Sequence, residues 1–270
     1  MVSQCYGSMP LQVVSLNGLR RINLKTIVVT GAAGGIGQSV VKKIIDDKLA
    51  DNILAVDNQP DALVSLQKKF TDIMTFSLDV TNQKDLKQLD QKIDEDNLEV
   101  LGLVNSAGIQ LAGESLSYSF ENWEKVLSIN LSGTFYISQV VGRHMVKNSE
   151  GSIVNITSVA EKFGWPSRAP YAATKAGVSS LTRTLAAEWG SHGVRVNAVC
   201  PGYIETDLMR EAIDSGRVDE SELLNMIALE RIGDPIEVAN VISFLLSDDA
   251  SYITGTTIDI DGGFSIRKIN

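Results

Sequence analysis

Tyr171 and Lys175 stand four residues apart in Tyr171-Ala172-Ala173-Thr174-Lys175, and Ser158 lies thirteen residues before the tyrosine. Residues four apart share one face of an α-helix, so the phenol and the ammonium point the same way. A phenol titrates near pH ~10 when unperturbed. An ammonium one turn away is expected to favour the phenolate and draw that value toward working pH. Such a group can give and take a proton, which is general acid–base chemistry. Ser158 closes the run Ser152-Ile153-Val154-Asn155-Ile156-Thr157, which reads as a buried strand. The carboxyl ends of such strands are where α/β proteins bind ligands. The Tyr-x-x-x-Lys spacing also occurs on exposed helices that do no chemistry, so the elements around it decide its meaning.

Lys25 to Val29 is a β-branched apolar run, hence a first buried strand. It leads into Thr30-Gly31-Ala32-Ala33-Gly34-Gly35-Ile36-Gly37 and then an amphipathic helix to about Lys48. Strand, glycine turn and helix in that order form a dinucleotide-phosphate cradle, in which backbone approaches the pyrophosphate at a helix N-terminus. A second strand, Asn52 to Asp57, ends in an acid twenty residues beyond Gly37. A carboxylate there accepts hydrogen bonds from the adenosine ribose hydroxyls and repels a 2′-phosphate. Ala32, Ala33, Asn58 and Gln59 include no cation to hold that phosphate, so NAD is the expected cofactor.

Further strands are expected at residues 73–78, 100–104, 152–157, 194–199 and 257–260. Helices are expected at about 60–70, 82–94, 120–147, from Tyr171 to about 190, and 235–246. Asn105-Ser106-Ala107-Gly108 follows the fourth strand, where small residues permit close passage of either a ligand or another strand. Asn130, between Ile129 and Leu131, is either a satisfied core hydrogen-bonder or a holder of water near the reacting centre. Residues 203–232 carry two short helical patterns and no strand, a candidate substrate lid. Strands alternating with helices predict an α/β fold, a doubly wound, parallel, seven-stranded Rossmann-like sheet with helices on both faces. Residues 23–270 are expected to form one domain, preceded by an extension at 1–22.

The 270 residues include 44% apolar side chains, enough for one large core, and carry a net charge of −9. No basic stripe is present, so no nucleic-acid partner is expected. No apolar run approaches the ~20 residues of a membrane span, so no membrane partner is expected either. Two cysteines, Cys5 and Cys200, exclude a disulfide framework and fit a reducing, cytoplasmic setting; Cys200 reads as a small buried apolar residue. Two histidines, His144 and His192, make no metal site.

These motifs together resemble the short-chain dehydrogenase/reductase family in its single-domain form, over about Asn23 to Gly263. The matching elements are Thr30-Gly31 through Gly37, Asp79-Val80, Asn105-Ser106-Ala107-Gly108, Asn130, Ser158, Tyr171 with Lys175, and Pro201-Gly202. Ser106 departs from the family, which usually has a second asparagine there. The resemblance implies that Tyr171 exchanges a proton with the substrate oxygen while hydride moves to or from the nicotinamide. It implies that Lys175 binds the nicotinamide ribose and lowers the tyrosine pKa, that Ser158 binds the substrate oxygen, and that Asn130 positions a relay water. Gly31, Gly35, Ile36, Gly37 and Asp57 would hold the pyrophosphate and ribose, and Asp79 and Val80 would flank the adenine. Asn105, Ala107, Gly108, Pro201 and Gly202 would border the cofactor, with Ile204 and Thr206 at the carboxamide. The family's usual assembly implies a homotetramer, for which the long helices offer apolar surface.

Gln110, Ser158, Trp165, Tyr171 and Tyr203 are expected to line the substrate pocket. The leading reading is hydride transfer between NAD(H) and a small polyol, sugar or hydroxy-ketone. A 3-oxoacyl-carrier-protein reductase is the alternative, for which an acidic carrier would need a basic landing surface; only Arg143 and Lys147 offer one. A non-catalytic dinucleotide sensor is the other class, although a sensor has no need of the intact Ser, Tyr and Lys set.

Overall fold

Thr26-Ile27-Val28-Val29-Thr30 is an unbroken, buried and mostly β-branched run, the composition of a strand covered on both faces. It forms most of β1 (Leu24–Thr30), an interior strand of a parallel sheet in the computed structural model, which describes residues 24–216 and 218–267. The expected extension at 1–22, with Cys5, lies outside the described residues. The remaining strands are β2 (Asn52–Asp57), β3 (Met74–Ser77), β4 (Leu98–Asn105), β5 (Gly151–Ile156), β6 (Val194–Pro201) and β7 (Thr257–Ile260). Their order is β3-β2-β1-β4-β5-β6-β7, and every pairing is parallel.

The helices are α1 (Gly35–Asp47), α2 (Pro60–Lys69), α3 (Gln83–Glu95), α4 (Phe120–Leu127), α5 (Thr134–Asn148) and α6 (Ala169–Trp189), then α7 (Asp207–Asp214), α8 (Glu220–Asn225) and α9 (Pro235–Leu246). Alternate residues of a strand face opposite sides. Accordingly Ile27 and Val29 pack with Val41, Ile44, Leu63 and Ile242, while Val28 packs with Leu89, Ile137, Met145 and Leu185. Helices α1, α2 and α9 therefore cover one face, and α3, α5 and α6 the other. Among the described residues no helix is long and apolar enough to cross a membrane.

The helix expected at 120–147 is present with an interruption: Ser128–Gly133 is a π-helical turn between α4 and α5. Asn130 sits inside it. Such turns widen the helix by one residue and re-aim side chains. From β1 the chain first builds outward through β2 and β3 on one side, then crosses back to add β4 on the other. A sheet that reverses its winding this way opens a crevice beyond those strands' carboxyl ends.

Candidate active site

The glycine loop lies at that reversal. Gly31 adopts φ +60°, and a Cβ there would lie 2.8 Å from Ala107 Cα. A Cβ on Gly37 would lie 2.1 Å from the Gly31 carbonyl oxygen. Only hydrogen fits at both positions, so the loop folds tightly onto the start of α1. Thr30 Oγ1 ties this loop to the next, accepting the N–H groups of Ser106 and Ala107, each at 3.2 Å. Gly34 caps α1 without a side chain, and the first turn holds no acid. The positive end of the helix is thus left for an anion, which fits a dinucleotide pyrophosphate.

Asp57 is 8% exposed at the end of β2 and faces this loop. Its Oδ2 accepts the Ala33 N–H at 3.1 Å and its Oδ1 the Gln59 N–H at 3.2 Å. A carboxylate offers about four acceptor sites, so acceptor capacity for two ribose hydroxyls remains. Asp79 Oδ1 accepts both the amide and the hydroxyl of Thr81 at 2.8 Å, closing a turn. Val80 packs into the core, against the π-turn at Gly133.

Two asparagines turn inward. Asn105 Nδ2 donates to Asn155 Oδ1 at 2.8 Å and to Ser138 Oγ at 2.9 Å, and Asn155 Nδ2 donates to Thr182 Oγ1 at 2.9 Å. This buried polar chain links β4 and β5 to α5 and α6, and it engages the Asn105 amide nitrogen. Asn130 Oδ1 accepts the Ile109 N–H at 2.8 Å, while its Nδ2 donates to Ile109 O at 2.9 Å and to Thr174 Oγ1 at 3.3 Å. Of the two readings of Asn130, its side chain fits the satisfied hydrogen-bonder. It clamps the loop that follows Gly108.

Ser158 leaves β5 in extended conformation and accepts the Ala160 N–H at 3.2 Å. Its hydroxyl also favours the phenolate of Tyr171. Tyr171 nevertheless titrates above the ordinary phenol value, because burial outweighs the effects of Ser158 and of the nearby charge of Arg168. The expected lowering by Lys175 is therefore corrected. Lys175 Nζ lies 5.6 Å from the centroid of the Tyr171 ring and donates to Ile156 O at 2.7 Å. Its own pKa is lowered to about 8, chiefly by burial, with Glu161 opposing. A Cβ on Gly108 would lie 3.6 Å from Nζ, so the loop after β4 passes close to this ammonium.

Beyond β6, Gly202 N–H donates to Ile260 O at 2.9 Å, joining Pro201-Gly202 to β7. Ile204 is buried in the core, so any contact it makes with a cofactor is through main chain. Thr206 caps α7 through Met209 N, and a Cβ on Gly35 would meet its methyl at 3.0 Å; the root of the 203–232 segment therefore touches the glycine loop. Residues 203–232 hold α7 and α8, but their start is more ordered than expected. Ile204 bridges in parallel to Gly233, with Glu205 N–H to Gly233 O at 2.8 Å and Gly233 N–H to Tyr203 O at 3.0 Å. These bonds close the neck of the segment.

Trp165 and Tyr203 meet edge to face at 5.6 Å, as partners in an aromatic wall. Phe264 completes it, stacked on Trp165 at 6.0 Å and edge-on to Tyr203 at 5.4 Å. Sequence reading missed Phe264; the Asp261-Gly262-Gly263 turn before it, with both glycines at positive φ, was the available signal. Arg168 and Glu161 were missed as well. Gln110 follows the clamped Ile109 and is exposed. Burial pushes the Tyr203 hydroxyl up to about 12 and the Cys200 thiol to about 12, so both stay neutral at working pH. Cys200 is free and buried, as its position after an apolar strand suggested.

A family model described as enoyl-(acyl carrier protein) reductase matches residues 31–265. The chain is 37% identical over 250 residues to a 3-oxoacyl-[acyl-carrier-protein] reductase of Thermotoga maritima, covering 91% of this chain and 100% of the relative. It is 34% identical to an NAD-dependent glycerol dehydrogenase of Listeria innocua, covering 90% and 94% of the two chains. Among solved structures, a gluconate 5-dehydrogenase from Burkholderia cenocepacia in complex with NADP and tartrate superposes with a TM-score of 0.84 at 28% identity, over 92% of this chain and 98% of that one.

Proposed function

We propose a cofactor and a substrate class for this chain, which belongs to the short-chain dehydrogenase/reductase family and is an oxidoreductase acting on CH–OH groups. It exchanges hydride between NAD(H) and a small polyol, sugar or hydroxy-ketone. The observation with most weight is the Lys175 ammonium 5.6 Å from the centroid of the Tyr171 ring, with Ser158 acting on the same phenol. When bound, the nicotinamide supplies the hydride chemistry. Ser158 holds the substrate oxygen, and Tyr171 gives or takes its proton. Lys175 binds ribose hydroxyls and adds positive charge below the ring, while Asn130 keeps the loop at Ile109 in register.

NAD is supported by Asp57, whose carboxylate stands against the glycine loop where a 2′-phosphate would be repelled. Relatives exist on both sides of that choice: the glycerol dehydrogenase is NAD-dependent, and the gluconate 5-dehydrogenase structure holds NADP. The aromatic wall of Trp165, Tyr203 and Phe264 offers faces for the carbon skeleton of a small polar substrate. A homotetramer in the cytoplasm is the proposed setting. A dehydrogenase assay over a polyol and sugar panel with both cofactors tests this function; no turnover of any member with NAD(H) contradicts it.

Identity to the Thermotoga maritima enzyme favours a second reading, reduction of a 3-oxoacyl group on a carrier protein. Against it, Arg143 is paired to Asp90 at 3.3 Å, which leaves less net positive charge for an acidic carrier. A 3-oxoacyl thioester in the same panel separates the two.

A further inference from the structure

Ser158, Tyr203 and Phe264 follow the carboxyl ends of β5, β6 and β7, which are consecutive in the sheet. The glycine loop and Asp57 lie at the ends of β1 and β2, on the other side of β5. A substrate that meets Ser158 beside a cofactor held over β1 and β2 therefore has its remaining carbons toward β6 and β7. Phe163 and Trp165, from the connection between β5 and α6, stand there with Tyr203 and Phe264.

Phe264 is the member of this group in contact with all the others. Its ring centroid lies 5.4 Å from Tyr203, 5.9 Å from Phe163 and 6.0 Å from Trp165. Trp165 and Tyr203 are themselves 5.6 Å apart, so they close a triangle with Phe264. Centroids this near are direct ring contacts, and no carbon chain passes between them. The turn that carries Phe264 is fixed as well. Asp261 Oδ1 accepts the Gly263 N–H at 2.9 Å and its Oδ2 the Ser265 N–H at 2.8 Å. Gly262 O accepts the Leu229 N–H at 3.0 Å. Arg267 donates to Ile227 O and, at 3.4 Å, to Glu230 Oε1. These bonds tie the turn to itself and to the far end of the 203–232 segment, so the ring is held against the wall.

We propose that Phe264 is a specificity-determining residue that closes the pocket on the β7 side and limits the length of carbon chain a substrate can carry. The inference deepens the function proposed above and rests on it. Close-packed side chains give way only with strain, so a long chain is excluded while a short hydroxy-ketone lies on the face of the cluster.

The test compares wild type, F264A and F264L on 1-hydroxy-2-ketones lengthened from about three to about eight carbons, by kcat/KM with NADH, or with NADPH if only that cofactor binds. One methylene that a pocket accepts or rejects is worth about 10–200-fold. Wild type is expected to lose about 10-fold or more at the length that reaches the cluster. F264A should move that step to longer chains and raise the ratio of long to short by about 10-fold or more, with F264L between the two. A loosened fold would lower kcat/KM at every length and leave the ratio unchanged. A wild type indifferent to length, or an F264A ratio equal to that of wild type, overturns the proposal. If F264A is not recovered folded, F264L decides by the same criterion.

Titration of the same series against the enzyme–cofactor complex, read by cofactor fluorescence, needs no turnover. Short ketones that bind without being reduced, with long ones admitted by F264A, would place the fault in the proposed reaction and uphold the role of Phe264. Binding that is absent throughout, indifferent to length in wild type, or unchanged in F264A overturns it.

Discussion

Lys175 meets Tyr171 from below, its ammonium 5.6 Å from the ring centroid while its hydrogen bond goes to Ile156 O on β5. Ser158 is the side chain that favours the phenolate of Tyr171. Under the proposed function, proton transfer falls to the hydroxyl and positive charge to the cation held against the ring.

Tyr171→Phe keeps the ring and its packing but removes the proton. Turnover should fall by about 10²–10⁴-fold, the usual worth of a positioned acid–base group, while cofactor affinity stays near wild type. Steady-state rates together with titration of NADH fluorescence check both halves. More than a tenth of the wild-type rate would require another proton donor.

Gly37→Ala should damage fold and cofactor binding together. Its Cβ would sit 2.1 Å from a backbone oxygen of the same loop and 3.0 Å from Ala32 Cα, so the main chain has to move. Overpacking of this kind costs about 1–3 kcal/mol, which lowers Tm by roughly 2–10 °C in a chain this long. Thermal unfolding with and without NAD measures the loss, and an unchanged Tm would mean that the loop lies more open.

Much of this was legible because it is local. Glycine spacing, the acid that ends β2 and the Tyr-x-x-x-Lys turn depend on residues within one strand–turn–helix unit, and alternating elements determine the sheet. What was not legible depends on distant partners. Tyr171 is shifted upward because the surrounding fold buries it, and no spacing along the chain reports burial. Asn105 reads equally as a ligand contact or a structural residue until β5 and α5 supply Asn155 and Ser138. The π-turn at Asn130 lies inside a helix whose periodicity looks continuous. Phe264 reaches the pocket from nearly a hundred residues beyond Trp165, carried there by a turn whose glycines marked a bend but not a direction.

A homotetramer is expected in solution. Phe120 is 87% exposed on the single chain, and Trp123 and Tyr136 are 36% and 38% exposed on the same pair of helices, α4 and α5. A stable interface buries about 800 Å² per partner, and exposed aromatic side chains are its usual anchors. Sedimentation at micromolar concentration should give four copies, and Phe120→Asp should give a smaller species. A wild-type monomer would contradict this assembly.

Cofactor choice tests the central claim most directly, because it reads the crevice and the chemistry in one number. A 2′-phosphate beside Asp57 adds a like charge, and at ~4 Å with an effective dielectric of ~20 this costs on the order of 4 kcal/mol before solvent reduces it. The measurement is kcat/KM of the unmodified enzyme with NAD and with NADP on the best substrate of the polyol and sugar panel. A preference for NAD of about 10²-fold or more is the predicted result. Equal values, or a preference for NADP, would show that Asp57 does not face the ribose and would contradict the account.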